Sequence, residues 1–204
     1  MTDPLQSRWL AAPAEALCLD FANTLYWRGT SSPTEELGGS ADLLAWCARK
    51  AALPEARVAE LRQRWLAAPD EAAAAFAAAI ARREAIYRLF HAVAAEGKVP
   101  ADELRQLNDA FAGAPLRRAI EAGPGGFGWR VEPGELNLLT PVLWSAADLL
   151  VSRRLSRVKH CANDQCHFLF LDDSKSGNRR WCAMSACGNR AKAHRHYLKH
   201  RAGG

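Results

Sequence analysis

Four cysteines in the last quarter of the chain constrain its fold most strongly. They form two pairs, Cys161-x4-Cys166 and Cys182-x4-Cys187, separated by 15 residues. Each pair lets one turn present two thiolates to an ion, and two such turns complete the tetrahedron that Zn²⁺ prefers. The spacing therefore predicts a structural zinc module with one Zn²⁺ per chain, held by all four cysteines.

Two alternatives to this zinc site follow from the other cysteines and the histidines. Disulfides are an alternative in a chain with six cysteines, but residues 1–10 lack the apolar run of a secretory signal. We therefore expect a cytoplasmic protein with reduced thiols, in which Cys18 and Cys47 are core residues of apolar helices. His160, His167 and His194 are alternative ligands, although four thiols already fill a tetrahedral site and leave no position for catalysis.

Basic charge is concentrated at the same end of the chain. Residues 152–204 contain 12 Lys or Arg and three acidic residues, a net charge of +9, whereas the rest of the chain carries −4. A basic segment attracts polyanions, and a mildly acidic one does not. We expect any nucleic-acid binding to lie in the C-terminal segment.

Two stretches of sequence resemble known families. The runs Cys161–Cys166, Phe170–Ser174, Arg180–Met184 and Cys187–Lys192 are similar to the CGNR zinc finger, whose four-letter name stands intact at residues 187–190. The runs Leu17–Leu25 and Asp42–Trp46 resemble the ABATE domain, which precedes this finger in bacterial proteins. The resemblance implies a treble-clef-like finger and a two-part, stress-related transcriptional regulator.

Hydrophobic periodicity predicts a mainly α-helical body with a small β-hairpin. We place the body, with a ligand-sensing role, at residues 1–155 and the finger at residues 156–204. A linker of Gly, Ser and Pro is expected before Ser40, a loop over residues 113–128, and a hairpin over residues 129–138 around Pro133-Gly134. The predicted helices cover Ala14–Trp27, Ser40–Lys50, Pro54–Ala68, Pro69–Ala95, Pro100–Ala112 and Val142–Leu155.

Within the finger, the sequence predicts a hairpin followed by a basic helix. Phe168–Phe170 and Arg179–Trp181 are its two expected arms, and the helix extends from about Ser185 to Arg201. One face of this helix carries only hydrogen-bond donors, which suits phosphates or a major groove. The alternative is a solvated stripe that neutralises the acidic body. The predicted nucleic-acid-binding residues are Lys192, Arg195, His196 and Lys199.

Four residues of the first predicted helix have two interpretations. Asp20, Asn23, Thr24 and Trp27 form either an exposed helix face or the lining of a pocket for a small polar effector. The sequence contains no nucleotide-binding glycine loop, no Ser-His-Asp constellation and no paired-carboxylate signature, so we do not expect an enzyme. No apolar stretch is long enough to make the membrane a partner.

The sequence thus predicts a zinc-binding, nucleic-acid-binding transcription regulator with a ligand-sensing body, and DNA is favoured over RNA as its partner. Two alternatives stay open at this point. One is an RNA- or ribosome-associated binding module, because zinc modules with basic helices serve both nucleic acids. The other is an enzyme with its site in the body and a purely structural finger. A homodimer is also open.

Overall fold

The computed structural model describes residues 9–51, 53–123, 126–131 and 137–193. Over these residues the chain is mainly helical, with three small antiparallel sheets. The helices are α1 (Leu17–Ala22), α2 (Ser40–Lys50), α3 (Glu55–Ala67), α4 (Pro69–Ala94), α5 (Ala101–Ala112) and α6 (Thr140–Val151). The strands are β1 (Trp9–Ala11), β2 (Leu25–Tyr26), β3 (Thr34–Glu35), β4 (Ala119–Gly123), β5 (Gly126–Arg130), β6 (Val158–His160) and β7 (Leu169–Leu171).

Four helices of the body begin and end within one residue of their predicted bounds. These are α2 to α5, and Pro69 occupies the first turn of α4, where its missing N–H costs nothing. The last predicted helix, α6, begins two residues earlier and ends four residues earlier than expected. A 3-10 turn, Arg153–Arg157, then leads directly into β6. No helix in the described part of the chain is both long and apolar enough to cross a membrane.

The first predicted helix is much shorter than the sequence indicated. α1 ends at Ala22, and the chain turns into β2, which pairs with β3. The Thr24 hydroxyl donates a 2.8 Å hydrogen bond to the carbonyl of Phe21. Such side-chain bonds to the local backbone compete with helical ones, which explains why the helix stops here. Trp27 then adopts φ = +54°, in the left-handed region.

The body's hairpin lies upstream of its predicted position. Trp129 is in β5 as expected, but β5 pairs with β4 on one side and β1 on the other. Residues 113–128 therefore contain most of a sheet and not only the predicted loop. The sequence signal for these strands was weak because β4 and β5 are rich in Ala and Gly, which have low strand propensity. In addition, β1 lies more than a hundred residues before β5, so no local pattern indicates their pairing. Residues 132–136 of the predicted hairpin lie outside the described ones.

The finger's hairpin also differs from the prediction. β6 pairs with β7 in the register His160 with Leu169, and residues 179–181 are not a strand. The carbonyl of Phe168 instead accepts a 2.8 Å bond from the backbone N–H of Cys161. One turn of π-helix, Met184–Gly188, begins the predicted final helix. The structure describes this helix as far as residue 193.

One hydrophobic core joins the helices to this second hairpin. α4 packs against α1, α2, α3 and α5, and α6 packs against α1. Val158, Leu169 and Leu171, from β6 and β7, belong to the same buried cluster as Phe21 and Phe90. Each such side chain contributes roughly 1.5–3 kcal/mol on burial. The hairpin that precedes the second cysteine pair is therefore held by the body's core.

Candidate metal centre and its attachment to the body

The four predicted zinc ligands converge in space. The Sγ atoms of Cys161, Cys166, Cys182 and Cys187 all lie within 4.8 Å of one another. Sγ of Cys182 is 3.8 Å from both Cys166 and Cys187. Zn–S bonds of about 2.3 Å in a tetrahedron place the sulfurs about 3.8 Å apart. All four are free thiols, so the site fits one structural Zn²⁺ with no open coordination position.

Asn163 organises the turn between the first two cysteines. Its carbonyl accepts the backbone N–H of Cys166 at 2.8 Å, and its side-chain oxygen accepts that of Gln165 at 3.0 Å. Its side-chain Nδ2 donates to Sγ of Cys187 at 3.4 Å. Asn163 thus fixes the turn that holds the first cysteine pair and hydrogen-bonds a sulfur of the second. Hydrogen bonds of this kind orient the ligands of a metal.

A glycine follows the second cysteine pair and makes room for the side chain of Met184. A Cβ on Gly188 would lie 2.6 Å from Sδ of Met184, closer than real contacts allow. The guanidinium of Arg179 donates to the carbonyls of Trp181 and Cys182. Gly188 therefore permits Met184 to pack against the turn, and Arg179 fixes the chain as it enters the pair.

The thiols influence one another's ionisation. The bond from Cys182 lowers the pKa of Cys166 to about 5, and the same contact raises the pKa of Cys182. Zn²⁺ needs all four as thiolates, so its binding releases protons. Cys18 and Cys47 are fully buried in the body, and burial raises the pKa of each to about 12. They are core residues, as predicted.

Asp172 ties β6, β7 and the following loop together. Its buried carboxylate accepts from Nζ of Lys159 at 2.8 Å, from the backbone N–H of Arg179 at 2.9 Å and from that of Ser174 at 3.0 Å. The hydrogen bond from Lys159, more than any other contact, holds the pKa of Asp172 well below its usual range. The sequence pattern alone suggested no role for this residue. An Asp two residues before a Ser, directly after a strand, is a recognisable turn signal.

The four residues predicted to line an effector pocket have separate surroundings. Asp20 is exposed, although partial desolvation by the surrounding protein still raises the pKa of its carboxyl group. Asn23 is buried and bonds the backbone of Leu169 through both ends of its amide. The Thr24 hydroxyl is buried and accepts from Arg83 at 3.2 Å. Trp27 is half-buried against the cysteine cluster.

Trp27 places a body side chain over the metal centre. Its ring packs with the cysteines, and the guanidinium of Arg190 lies 4.7 Å from the ring centroid. A cation at this distance from an indole face is attracted by it. Arg190 therefore brings positive charge to the ring that packs against the thiol cluster.

A buried arginine near Thr24 was not anticipated. Arg83, only 2% exposed, forms a bidentate pair with Glu35 at 2.6 and 2.7 Å. Its Nε also donates to Glu84 at 2.9 Å, and Glu84 in turn pairs with Arg28 at 2.7 Å. Arg83 lies in the predicted Ala-rich helix, α4. The hydrophobic periodicity of that helix does not indicate that the guanidinium is buried.

The structure describes one of the four predicted nucleic-acid-binding residues. Lys192 is exposed, whereas Arg195, His196 and Lys199 lie outside the described residues. Other exposed cations between residues 152 and 193 are Arg153, Arg154, Lys175, Arg179, Arg180 and Arg190. Arg154 and Lys159 have carboxylate partners, Asp173 and Asp172 respectively.

Comparisons with known proteins agree with this arrangement. The model of the ABATE family, described as "Putative stress-induced transcription regulator", matches residues 15–153. The model described as "CGNR zinc finger" matches residues 157–200, which include all four cysteines. None of the curated proteins compared with the chain matches it. The chain belongs to the ABATE family and carries a CGNR zinc finger after its ABATE domain.

Proposed function

We propose that this protein is a bacterial transcription regulator that binds DNA through the basic surface of its zinc finger. The observation that carries the proposal is the separation of charge, +9 over residues 152–204 against −4 elsewhere. Phosphate neutralisation by Lys and Arg supplies most of the sequence-independent affinity for DNA. The residues proposed to make the contacts are Lys192, Arg195, His196 and Lys199.

The free cations of the finger support this role. Lys175, Arg180 and Lys192 are exposed, and none has a carboxylate partner among the described residues. Surface charges left unpaired in this way are available for phosphates, and such contacts set the position of a protein on the duplex. The zinc supports the same surface structurally, because four thiolates leave it no catalytic position.

The body is the regulatory part in this proposal. Asn23 and Trp27, two of the residues predicted to bind an effector, contact the finger directly. An effector that displaced either side chain would act on the junction between body and finger. The existence of a small-molecule effector stays a prediction, and so does a homodimeric state.

The test uses the full chain with its zinc in place. Fluorescence anisotropy would measure binding to a labelled random-sequence DNA duplex and to a structured RNA over a range of salt concentrations. We expect DNA to bind with log K falling against log salt by about 0.9 per phosphate contact, and to outcompete RNA. Stronger competition by RNA would favour an RNA-binding module, and no binding of either would overturn the proposal.

A further inference from the structure

Three histidines form a second cluster next to the cysteines. His91 lies near the end of α4, His160 ends β6, and His167 follows Cys166. One ligand nitrogen from each lies within 4.8 Å of the other two. The ring centroids are 5.0 Å apart for His91 and His160, 5.9 Å for His91 and His167, and 6.3 Å for His160 and His167. All three are half-buried.

The fold brings these rings together through the zinc turn. His160 and His167 flank the Cys161-x4-Cys166 turn, so closing that turn places the two imidazoles side by side. His91 comes from the body, one helical turn after Tyr87, whose hydroxyl donates to the carbonyl of His167 at 3.3 Å. The cluster therefore has one member from the body and two from the finger.

His167 leaves a buried nitrogen without a partner. A Cβ on Gly29 would lie 2.8 Å from Cδ2 of His167, so that edge of the ring faces the Gly29 backbone. Nδ1 is on the opposite edge, and it is buried with no hydrogen-bond partner among the described residues. A buried polar atom of this kind costs free energy unless something binds it.

His160 has a tautomer suited to metal binding. Its Nδ1 lies 3.4 Å from the carbonyl oxygen of Cys161, which can only accept. The proton therefore belongs on Nδ1, and the lone pair is on Nε2. Histidine ligands in metal sites typically donate their other nitrogen to a carbonyl in this way.

We propose that His91, His160 and His167 form a second metal site, which takes a divalent first-row transition ion such as Zn²⁺. No carboxylate belongs to this group in the described residues, and three imidazoles suit Zn²⁺, Ni²⁺, Co²⁺ or Cu²⁺ and not Mg²⁺ or Ca²⁺. Metal–nitrogen bonds of about 2.0–2.1 Å in a tetrahedron need nitrogens about 3.4 Å apart, which rotation of half-buried rings can supply. A water completes the coordination.

Charge around the cluster permits a cation. The guanidinium of Arg28 lies 3.7 Å from the Tyr87 ring centroid, and the Tyr87 ring is 5.5 Å from that of His91. Its two terminal nitrogens donate to Glu84 at 2.7 and 3.0 Å, so the pair is close to neutral. An ion bound here would connect α4 to the turn that holds the structural zinc, and would stiffen the junction between body and finger.

Cobalt distinguishes this site from the cysteine site. Nitrogen and sulfur ligands bind Co²⁺ less tightly than Zn²⁺, so Co²⁺ added to the full chain carrying one Zn²⁺ leaves the four-cysteine zinc in place and meets an empty histidine site. Isothermal titration calorimetry of the untagged protein would measure Co²⁺ binding. The visible absorption spectrum and the zinc content would be followed in parallel. We expect one Co²⁺ per chain, no thiolate-to-cobalt charge-transfer band and unchanged zinc.

His91→Ala is the decisive variant because its position is remote in sequence from the cysteines. We expect at least about a tenfold loss of Co²⁺ affinity, the loss seen when even an outer partner of a metal ligand is removed. Arg82→Ala is the control, since it removes an exposed side chain of the same helix and no imidazole, and it should bind Co²⁺ normally. If the alanine variant does not fold, His91→Gln serves instead.

Three further histidines near the end of the chain provide a second control. The combined variant His194→Ala, His196→Ala, His200→Ala should keep the Co²⁺ equivalent. Loss of binding in that variant, unchanged affinity in His91→Ala, or no Co²⁺ bound by the native chain would each overturn the proposed site.

Discussion

The side-chain amide of Asn23 pairs with both backbone groups of Leu169. Nδ2 donates to the carbonyl of Leu169 at 2.8 Å, and the Leu169 N–H donates to Oδ1 at 2.9 Å, between residues 146 positions apart. The amide thus imitates one rung of a β-ladder between body and finger. The boundary placed between residues 155 and 156 separates two sequence patterns, but β6 and β7 pack in the body's core.

Loss of this amide is expected to destabilise the whole protein. Asn23→Ala leaves the buried N–H and carbonyl of Leu169 without partners, at about 1–3 kcal/mol for each group. We expect urea unfolding to show a total loss of about 2–6 kcal/mol. Asn108→Ala, an exposed site on α5, is the matched control and should change stability by less than about 0.5 kcal/mol. Equal effects of the two variants would contradict a structural role for Asn23.

Zinc loss is expected to unfold the second half of the finger and not the hairpin. In Cys182→Ser, zinc content measured by mass spectrometry should fall by about one ion per chain relative to the native protein. Hydrogen exchange should then rise over residues 172–193, which contain no paired strand, while β6 and β7 stay protected by the core. Cys47→Ala, also a buried cysteine, should keep its zinc. Full zinc occupancy in Cys182→Ser would rule out the ligand assignment.

Removal of three cations from the proposed DNA-binding face should change the salt dependence of binding. For Lys192→Ala, Arg195→Ala, Lys199→Ala, the slope of log K against log salt for duplex DNA should flatten by roughly 2.7. The matched control removes three exposed cations of the body, Lys50, Arg62 and Lys98, and should leave the slope unchanged. Equal slopes for the variant and native proteins, both holding zinc, would make the finger a scaffold.

The Glu84 ion pairs predict a pH-dependent contribution to stability. Burial raises the pKa of Glu84, but hydrogen bonds from Arg28 and Arg83 outweigh it and lower the pKa overall. A lowered pKa stabilises the fold above the carboxylate's ordinary value, and the contribution is lost as pH falls through the folded value. Glu84→Gln should therefore cost about 1–3 kcal/mol at pH 7 and progressively less below about pH 4.

Urea unfolding of the native and Glu84→Gln proteins, followed by far-ultraviolet circular dichroism at pH values from 7 to 3, would measure this difference in the free energy of unfolding. Glu71→Gln, which breaks the exposed pair with Arg64, is the control and should cost under about 1 kcal/mol. A Glu84→Gln deficit that is the same at every pH would show that the carboxylate's charge is not what stabilises the network.

Local sequence patterns determined much of this protein. The cysteine spacing identified the metal ligands because a turn of four residues fixes which thiols can meet at one ion. Four of the helices were found because proline, serine and apolar periodicity act over a few residues. The charge of the C-terminal segment is a sum over its residues and does not depend on the fold at all.

Tertiary structure alone decided how these parts are joined. Asn23 looked like an exposed helical residue, and its burial depends on Leu169, which lies in another part of the sequence. Arg83 is internal because Glu35 and Glu84 meet it there, and β5 pairs with β4 and β1 although its own pattern favoured a later partner. The three histidines converge only because α4 packs against β6. Periodicity reports which face of an element is apolar, whereas the partner of each side chain is set by the packing of elements distant in sequence.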